Sequence, residues 1–249
     1  MRRARYKSPE TTFYHLITRV AGCPGDYPLQ EEEAGQKLVA MIDLYTAVYV
    51  CLPVALAILG SHYHLIVKME AFRELTGEEL LRRAERLWGP RQAAARTVTW
   101  CREAWQEFNR RLFDLSAMMQ HLNGEYGKWY NRQHERRGHF WGERFRSVEL
   151  LGLEAVRECL LYVETNPTRA GMVPRPEDWW ASSAWRRRQR QDGELMGLEE
   201  LWEGLTKEAA WTEYRERLAE RQRSDEAKQA AGMSARQRYF TDGIIVGPR

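Results

Sequence analysis

Apolar and polar positions switch between a period of two and a period of three to four, and the switches mark the elements. Residues 11–20 are rich in β-branched and aromatic side chains and stop at Gly22, Pro24 and Gly25, which predicts a first strand. From the acidic cluster Glu31, Glu32 and Glu33, the residues Ala34, Leu38, Met41, Ile42, Tyr45 and Tyr49 recur at helical spacing. They predict an amphipathic helix lying on a sheet. Residues 48–59 are apolar but contain Pro53, so the next strand is expected to begin only after it. A tight Gly60-Ser61 break then leads into a second apolar run, a β-hairpin pattern. Strand periodicity puts His62 and His64 on one face and Tyr63, Leu65 and Val67 on the other.

Residues 71–112 are charged, carry Trp88, Trp100 and Trp105, and are interrupted by Gly89-Pro90. They read as an inserted helical pair whose tryptophans pack rather than form a binding platform. Asp114 or Ser116 can cap the next helix, with the stripe Leu115, Met118, Met119, Leu122, Tyr126, Trp129 and Tyr130 and an end at Gly138. Residues 140–150 alternate as a last sheet strand with Arg144 and Arg146 on one face. Residues 154–165 follow as a helix built on Val156, Cys159, Leu160 and Val163, with Tyr162 at the edge of that stripe. Asn166-Pro167 closes it, and the four-residue spacing lets Tyr162 and Asn166 share a face.

This order predicts an α+β fold, a ferredoxin-like sandwich around a central antiparallel sheet that contains the His62 strand. The main domain is expected over residues 1–185, with the insertion at about 71–112. Residues 186–249 read as a charged helical extension, polar enough from Ser224 onward to be partly disordered. No internal repeat is present.

A chain of 249 residues can bury a sizeable core, and one main domain is the expectation. Cys23, Cys51, Cys101 and Cys159 are far apart and form no CxxC pair, which argues for a reducing compartment. The basic N-terminus precedes no apolar signal region, and no run of about 18 apolar residues occurs, so a cytoplasmic protein with no membrane partner is expected. The net charge of +3 establishes no partner. Between Lys128 and Arg146, however, Lys128, Arg132, Arg136, Arg137, Arg144 and Arg146 face only Glu135 and Glu143, a local excess of +4. Tyr126, Trp129, Tyr130, Phe140, Trp141 and Phe145 interleave with these bases, and single strands bind through aromatic stacking beside cationic phosphate contacts. A solvated charged face and a nucleic-acid surface are weighed evenly on this pattern alone.

Two imidazoles are half a metal site, so a third ligand and a use for the ion must come from elsewhere. A bound divalent cation could act as a Lewis acid on a phosphodiester, and a tyrosine phenol beside it could be the nucleophile. Tyr162 with Asn166 one turn on is one candidate. Tyr126 and Tyr130 are rivals, and His134 four residues after Tyr130 keeps the latter in play.

His62-Tyr63-His64 matches the His-hydrophobic-His signature of HUH single-strand nucleases. The run from Met119-Gln120-His121-Leu122 to Tyr130-Asn131, then residues 138–147 (GHFWGERFRS), 162–171 (YVETNPTRAG) and Ser182-Ser183-Ala184, extend the match. Over roughly residues 10–185 the chain resembles the REP-associated tyrosine transposases, single-tyrosine enzymes similar to those of insertion sequence 200. The resemblance implies Tyr162 as nucleophile and His62, His64 and Asn166 as ligands of Mg2+ or Mn2+. It further implies cleavage of single-stranded DNA next to REP-like palindromic hairpins, leaving a 5′-phosphotyrosine and a free 3′-hydroxyl. The DNA surface is then expected to include Tyr126, Lys128, Tyr130, Asn131, Arg132, Arg136, Arg137, Arg144, Arg146 and Arg169. The chain departs from the commoner pattern at Ser61, where Pro-Asn usually precedes the first histidine, and in its long insertion. Both monomers and homodimers occur among such enzymes, so the oligomeric state stays open. A DNA-binding protein of the same fold without strand cleavage is the alternative. A zinc hydrolase is disfavoured, because the chain has no HExxH motif and no regular βα alternation.

Overall fold

The first strand is the middle of the sheet. The structure, a computed structural model, describes residues 8–22, 25–232, 240 and 245–247. β1 (Thr12–Arg19) lies between β3 (His62–Met69) and β4 (Arg146–Leu150), antiparallel to both, and β2 (Cys51–Ile58) pairs antiparallel with β3. The order β2-β3-β1-β4 is that of the expected ferredoxin-like sandwich, and a two-residue strand β5 (Ile245–Val246) adds parallel to β4 at one edge. Gly60-Ser61 makes the β2–β3 turn, closed by Leu59 N–H donating to the His62 carbonyl at 2.8 Å. Glycine is required there because a Cβ on residue 60 would lie 2.6 Å from the Tyr27 ring.

Strand alternation divides the core in two. Tyr14 and Leu16 of β1 with Tyr63, Leu65 and Val67 of β3 face α1 (Glu32–Val48) and α5 (Leu115–Gln133). Ala55, Ala57, Ile66 and Leu150 face α6 (Gly152–Glu164), which α10 (Lys207–Ala230) covers in turn. The histidines share this second face.

Several boundaries differ from the expectation, each for a local reason. β2 begins at Cys51 and runs through Pro53, because it is the outer strand and proline's missing N–H costs no bond there; the ladder shifts between Pro53 and Ala55. Its open edge is covered by later chain: Ile58 N–H donates to the Ala181 carbonyl (3.0 Å) and Met196 N–H to that of Pro53 (2.8 Å). The insertion holds three helices, not two: α2 (Gly77–Trp88), α3 (Pro90–Thr97) and α4 (Arg102–Leu112). The break at Gly89-Pro90 falls where the sequence puts it, with Gly89 at φ +81°, and a second break at residues 98–101 separates α3 from α4. Trp88 and Trp105 meet Trp100 edge to face and all three rings pack on Phe108, so these tryptophans are core packing as expected.

Asp114 caps α5, accepting from Ser116 and Ala117 N–H, and the helix ends at Gln133, five residues before Gly138. The last strand is shorter than 140–150. Residues 140–142 instead strap the end of β1, with Ala21 N–H donating to the Phe140 carbonyl (2.8 Å) and Gly142 N–H to that of Arg19 (3.0 Å). Arg144 therefore precedes the strand that contains Arg146. After α7 (Asn166–Arg169), α8 (Ser183–Arg188) and α9 (Leu198–Leu201), helix α10 continues to Ala230 through the residues expected to be disordered from Ser224. Asp225 explains the difference: it is 2% exposed and paired with Arg169 and Arg221. Residues 233–239, 241–244 and 248–249 of the expected disordered end lie outside the described residues. Among the described residues Cys51, Cys101 and Cys159 are free, and no helix is long and apolar enough to cross a membrane.

α6 is seated by a buried polar cluster. Glu164 and Arg187, both 0% exposed at their side chains, meet at 2.7 Å. Ser183 Oγ–H (2.6 Å) and Tyr214 O–H (2.7 Å) donate to the same carboxylate, and Arg187 also donates to the Val54 carbonyl at 2.8 Å. Removing one member of such a pair strands the other charge in the interior. Glu164→Leu is therefore expected to lower unfolding free energy by about 3–5 kcal/mol. Glu164→Leu with Arg187→Met should recover much of that loss in urea denaturation, because no charge remains uncompensated.

Candidate active site

Register places the strand side chains of the site. Arg19 pairs with His62 and Ile17 with both His64 and Arg146, so these residues share the face turned to α6. His15 is one pleat further along β1, diagonal to His64. Across this face, α6 carries Tyr162 and α7 opens with Asn166. The two helices form one polar wall because the last turn of α6 tightens at Thr165, whose hydroxyl donates to the Leu161 carbonyl at 2.9 Å.

Between wall and sheet lies a cleft of about 640 Å³ lined by His62, His64, Tyr162, Asn166, Arg169, Arg19, Glu143 and Arg146. The His62 and His64 ring centroids are 5.1 Å apart, and Tyr162 meets His64 edge-on at 5.9 Å. The rival tyrosines lie elsewhere. Tyr126 is fully buried on α5, its hydroxyl donating to the Ala34 carbonyl at 3.0 Å, and Tyr130 stacks on His134 at 3.9 Å. Both are on the opposite side of the sheet from the histidines.

The helix-borne residues hold one another. Asn166 Nδ2 donates to the Tyr162 carbonyl (3.1 Å), and Arg169 Nη2 donates to Asn166 Oδ1 and to that same carbonyl. These bonds orient the Asn166 amide with its oxygen beside the guanidinium. Arg169 lies 4.3 Å over the Tyr162 ring and is tied to Asp225 at 2.9 Å. Burial lowers the Arg169 pKa, and the bond to Asp225 opposes this. A cation on the ring face is attracted to the phenol's π electrons and holds the ring in place.

The strand-borne residues form a chain of imidazoles. His62 Nδ1 is 3.2 Å from Ser61 Oγ, and His64 Nδ1 is 2.8 Å from His15 Nε2. His15 Nδ1 reaches the Phe240 carbonyl at 2.8 Å, and Phe240 packs on Tyr162 at 5.4 Å. Burial pushes the His15 pKa down to about 4 and the His64 pKa well below its usual value, with nearby His62, Arg169 and Arg19 adding to the second shift. Both rings are neutral near pH 7, the state in which imidazole binds metal.

Among the described residues, no three His, Cys, Asp or Glu side chains are grouped to hold an ion. A metal on the expected set would rest on the His62 and His64 imidazoles and the Asn166 amide oxygen. That set fits a cation which keeps open positions for water and phosphate oxygen, and its nitrogens suit Mn2+ better than Mg2+.

Of the residues expected at a DNA surface, Arg146 and Arg169 line the cleft. Arg132, Arg136, Arg137 and Arg144 are exposed, as is Lys128, which pairs with Glu125. Asn131 Nδ2 donates to the Gly138 carbonyl, bracing the loop after α5. Phe140 and Phe145 are buried, and Trp141 donates to the Asn123 carbonyl, so these rings are packed against the protein. Sequence reasoning missed His15, Arg19 and Asp225. The first two sit on the odd-numbered face of β1, whose pairing with the His62 face is a register fact. Asp225 gives no local signal.

No family model and no curated protein matches the chain. Among solved structures, one of a REP-associated tyrosine transposase bound to a REP hairpin aligns at a TM-score of 0.44 and 12% identity, over 77% of this chain and 87% of that one. At that level the likeness is distant and speaks to none of the side chains above.

The depressed His15 pKa makes a stability prediction. Between its folded value of about 4 and the ordinary histidine value of 6.5, the unfolded chain binds the proton and the folded chain does not. The contribution is therefore present above pH 6.5 and lost as pH falls toward 4. From pH 7 to pH 5 the loss is about 2 kcal/mol. His15→Gln, which does not titrate, is expected to show a correspondingly flatter decline in urea denaturation over that range.

Proposed function

We propose that the chain is a metal-dependent single-stranded DNA nuclease and strand transferase acting beside hairpins, with Tyr162 as nucleophile. One observation carries the reading: Tyr162 and Asn166, about a hundred residues after His62 and His64, line the same cleft as those histidines. That is the arrangement the sequence motifs imply. Tyr162 Oη would bond to phosphorus while the bond to the 3′ oxygen breaks, the phenolic proton passing in net terms to the departing oxygen. The product is a 5′-phosphotyrosine, which conserves the phosphodiester energy for rejoining. His62, His64 and Asn166 would hold Mg2+ or Mn2+, which when bound polarises the phosphoryl oxygen. Arg169 fixes the Asn166 amide and the tyrosine ring, and Arg19 and Arg146 set a positive potential where a phosphate would enter. The exposed bases from Lys128 to Arg144 continue that charge toward flanking DNA, and REP-like palindromic hairpins are the expected substrate.

A second reading, a DNA-binding protein without cleavage, has its own support: Tyr162 is only 3% exposed, and Asn166 Oδ1 already accepts from Arg169. Incubation with a pool of labelled single-stranded hairpins in Mn2+ or Mg2+, scored for covalent adducts on denaturing gels, separates the two. Adducts are expected with the unaltered protein; hairpin binding without any adduct favours the second reading. Tyr162→Phe should abolish the adduct and leave binding intact, and full cleavage by that variant refutes Tyr162 as nucleophile. His62→Ala and His64→Ala should each slow cleavage by about 10³-fold or more. Unchanged rates in both metals would remove the metal site.

A further inference from the structure

We infer that His15 is a positioning residue that sets the tautomer of His64, holding its proton on Nδ1 so that Nε2 presents a lone pair to the cleft. The inference rests on the reading of His64 as a metal ligand, and it follows from hydrogen-bond bookkeeping. The Phe240 carbonyl has no proton to give, so at 2.8 Å the His15 Nδ1 must be the donor. His15 is 0% exposed, and its two ring nitrogens are spent on a carbonyl and another imidazole. A second proton would place an uncompensated charge in the interior, so the ring stays neutral and its Nε2 is an acceptor. The contact of 2.8 Å between that Nε2 and His64 Nδ1 then requires His64 Nδ1–H to donate. His64 is left with an unprotonated Nε2.

The arrangement has two structural supports. The rings are nearly parallel, 13° between planes with centroids 5.0 Å apart, so the bond is in plane for both. His15 is also held by its register on the central strand, flanked by Ile66 on β3 and Val148 on β4. A bond from the far ring nitrogen fixes which nitrogen can ligate and in what orientation. A residue acting only as core filler would do neither.

Long-range proton–nitrogen correlation spectra of the six histidines, assigned by single substitutions, test this without metal or DNA. In the unaltered protein His64 should be protonated at Nδ1 and bare at Nε2; a His64 protonated at Nε2 overturns the inference with no variant needed. In His15→Phe, His64 should shift toward the Nε2–H form, and Mn2+ affinity measured by calorimetry should fall about 10- to 100-fold. His15→Gln places an amide oxygen near the position of the lost Nε2 and should restore both the tautomer and most of the affinity. Equal losses in the two variants, or an unmoved tautomer in a folded His15→Phe, contradict the positioning role. The outcomes remain distinct from those of the proposed function. If the tautomer is as stated but the protein neither binds Mn2+ nor forms adducts, the functional reading fails while the geometry of this pair stands.

Discussion

The buried carboxylate of Glu164 is the constraint on which the arrangement of α6 depends. It lies between Tyr162 and Asn166 in sequence, and its partners come from α8, α10 and, through Arg187 and Ser183, from the edge strand β2. A charge in so dry a place tolerates one geometry well, because each carboxylate oxygen needs its donor. Apolar packing alone would let α6 slide or rotate on the sheet at modest cost. With Glu164 held, Tyr162 and Asn166 have one position over the histidine face.

The cleft joins two kinds of support. His62, His64 and His15 are fixed by strand register at the centre of a covered sheet, where backbone pairing leaves little freedom. Tyr162, Asn166 and Arg169 are fixed by hydrogen bonds among themselves and by Asp225 from α10. The late helical segment is therefore part of the site's scaffold. Its pairing with Arg169 also sets the electrostatics, since the imidazoles face three arginines, Arg19, Arg146 and Arg169, with Glu143 as the lining carboxylate. Such a cleft favours an anion.

Much of this was legible locally. The alternation through His62 and His64, the stripe with Tyr162 at its edge and the Asn166-Pro167 stop each report a short-range rule, and the strand and helix order follows from them. Pro53 shows where such rules fall short: proline is excluded from inner strands, and residue 53 lies on an outer one. The break at Gly89-Pro90 was legible, whereas the one at residues 98–101, which contains neither glycine nor proline, was not. The aromatic residues between Tyr126 and Phe145 pattern like a stacking surface, yet burial decides their use, and Tyr126, Phe140 and Phe145 are spent on packing.

The sequence by itself determined which residues could do chemistry and on which face of its own element each would lie, because side-chain direction follows from periods of two and 3.6. Only the tertiary structure decided which faces meet. His15, Arg19 and Asp225 joined the site through strand register and through an ion pair spanning 56 residues between Arg169 and Asp225. Such long-range pairings depend on the whole chain's packing, and no local pattern encodes them.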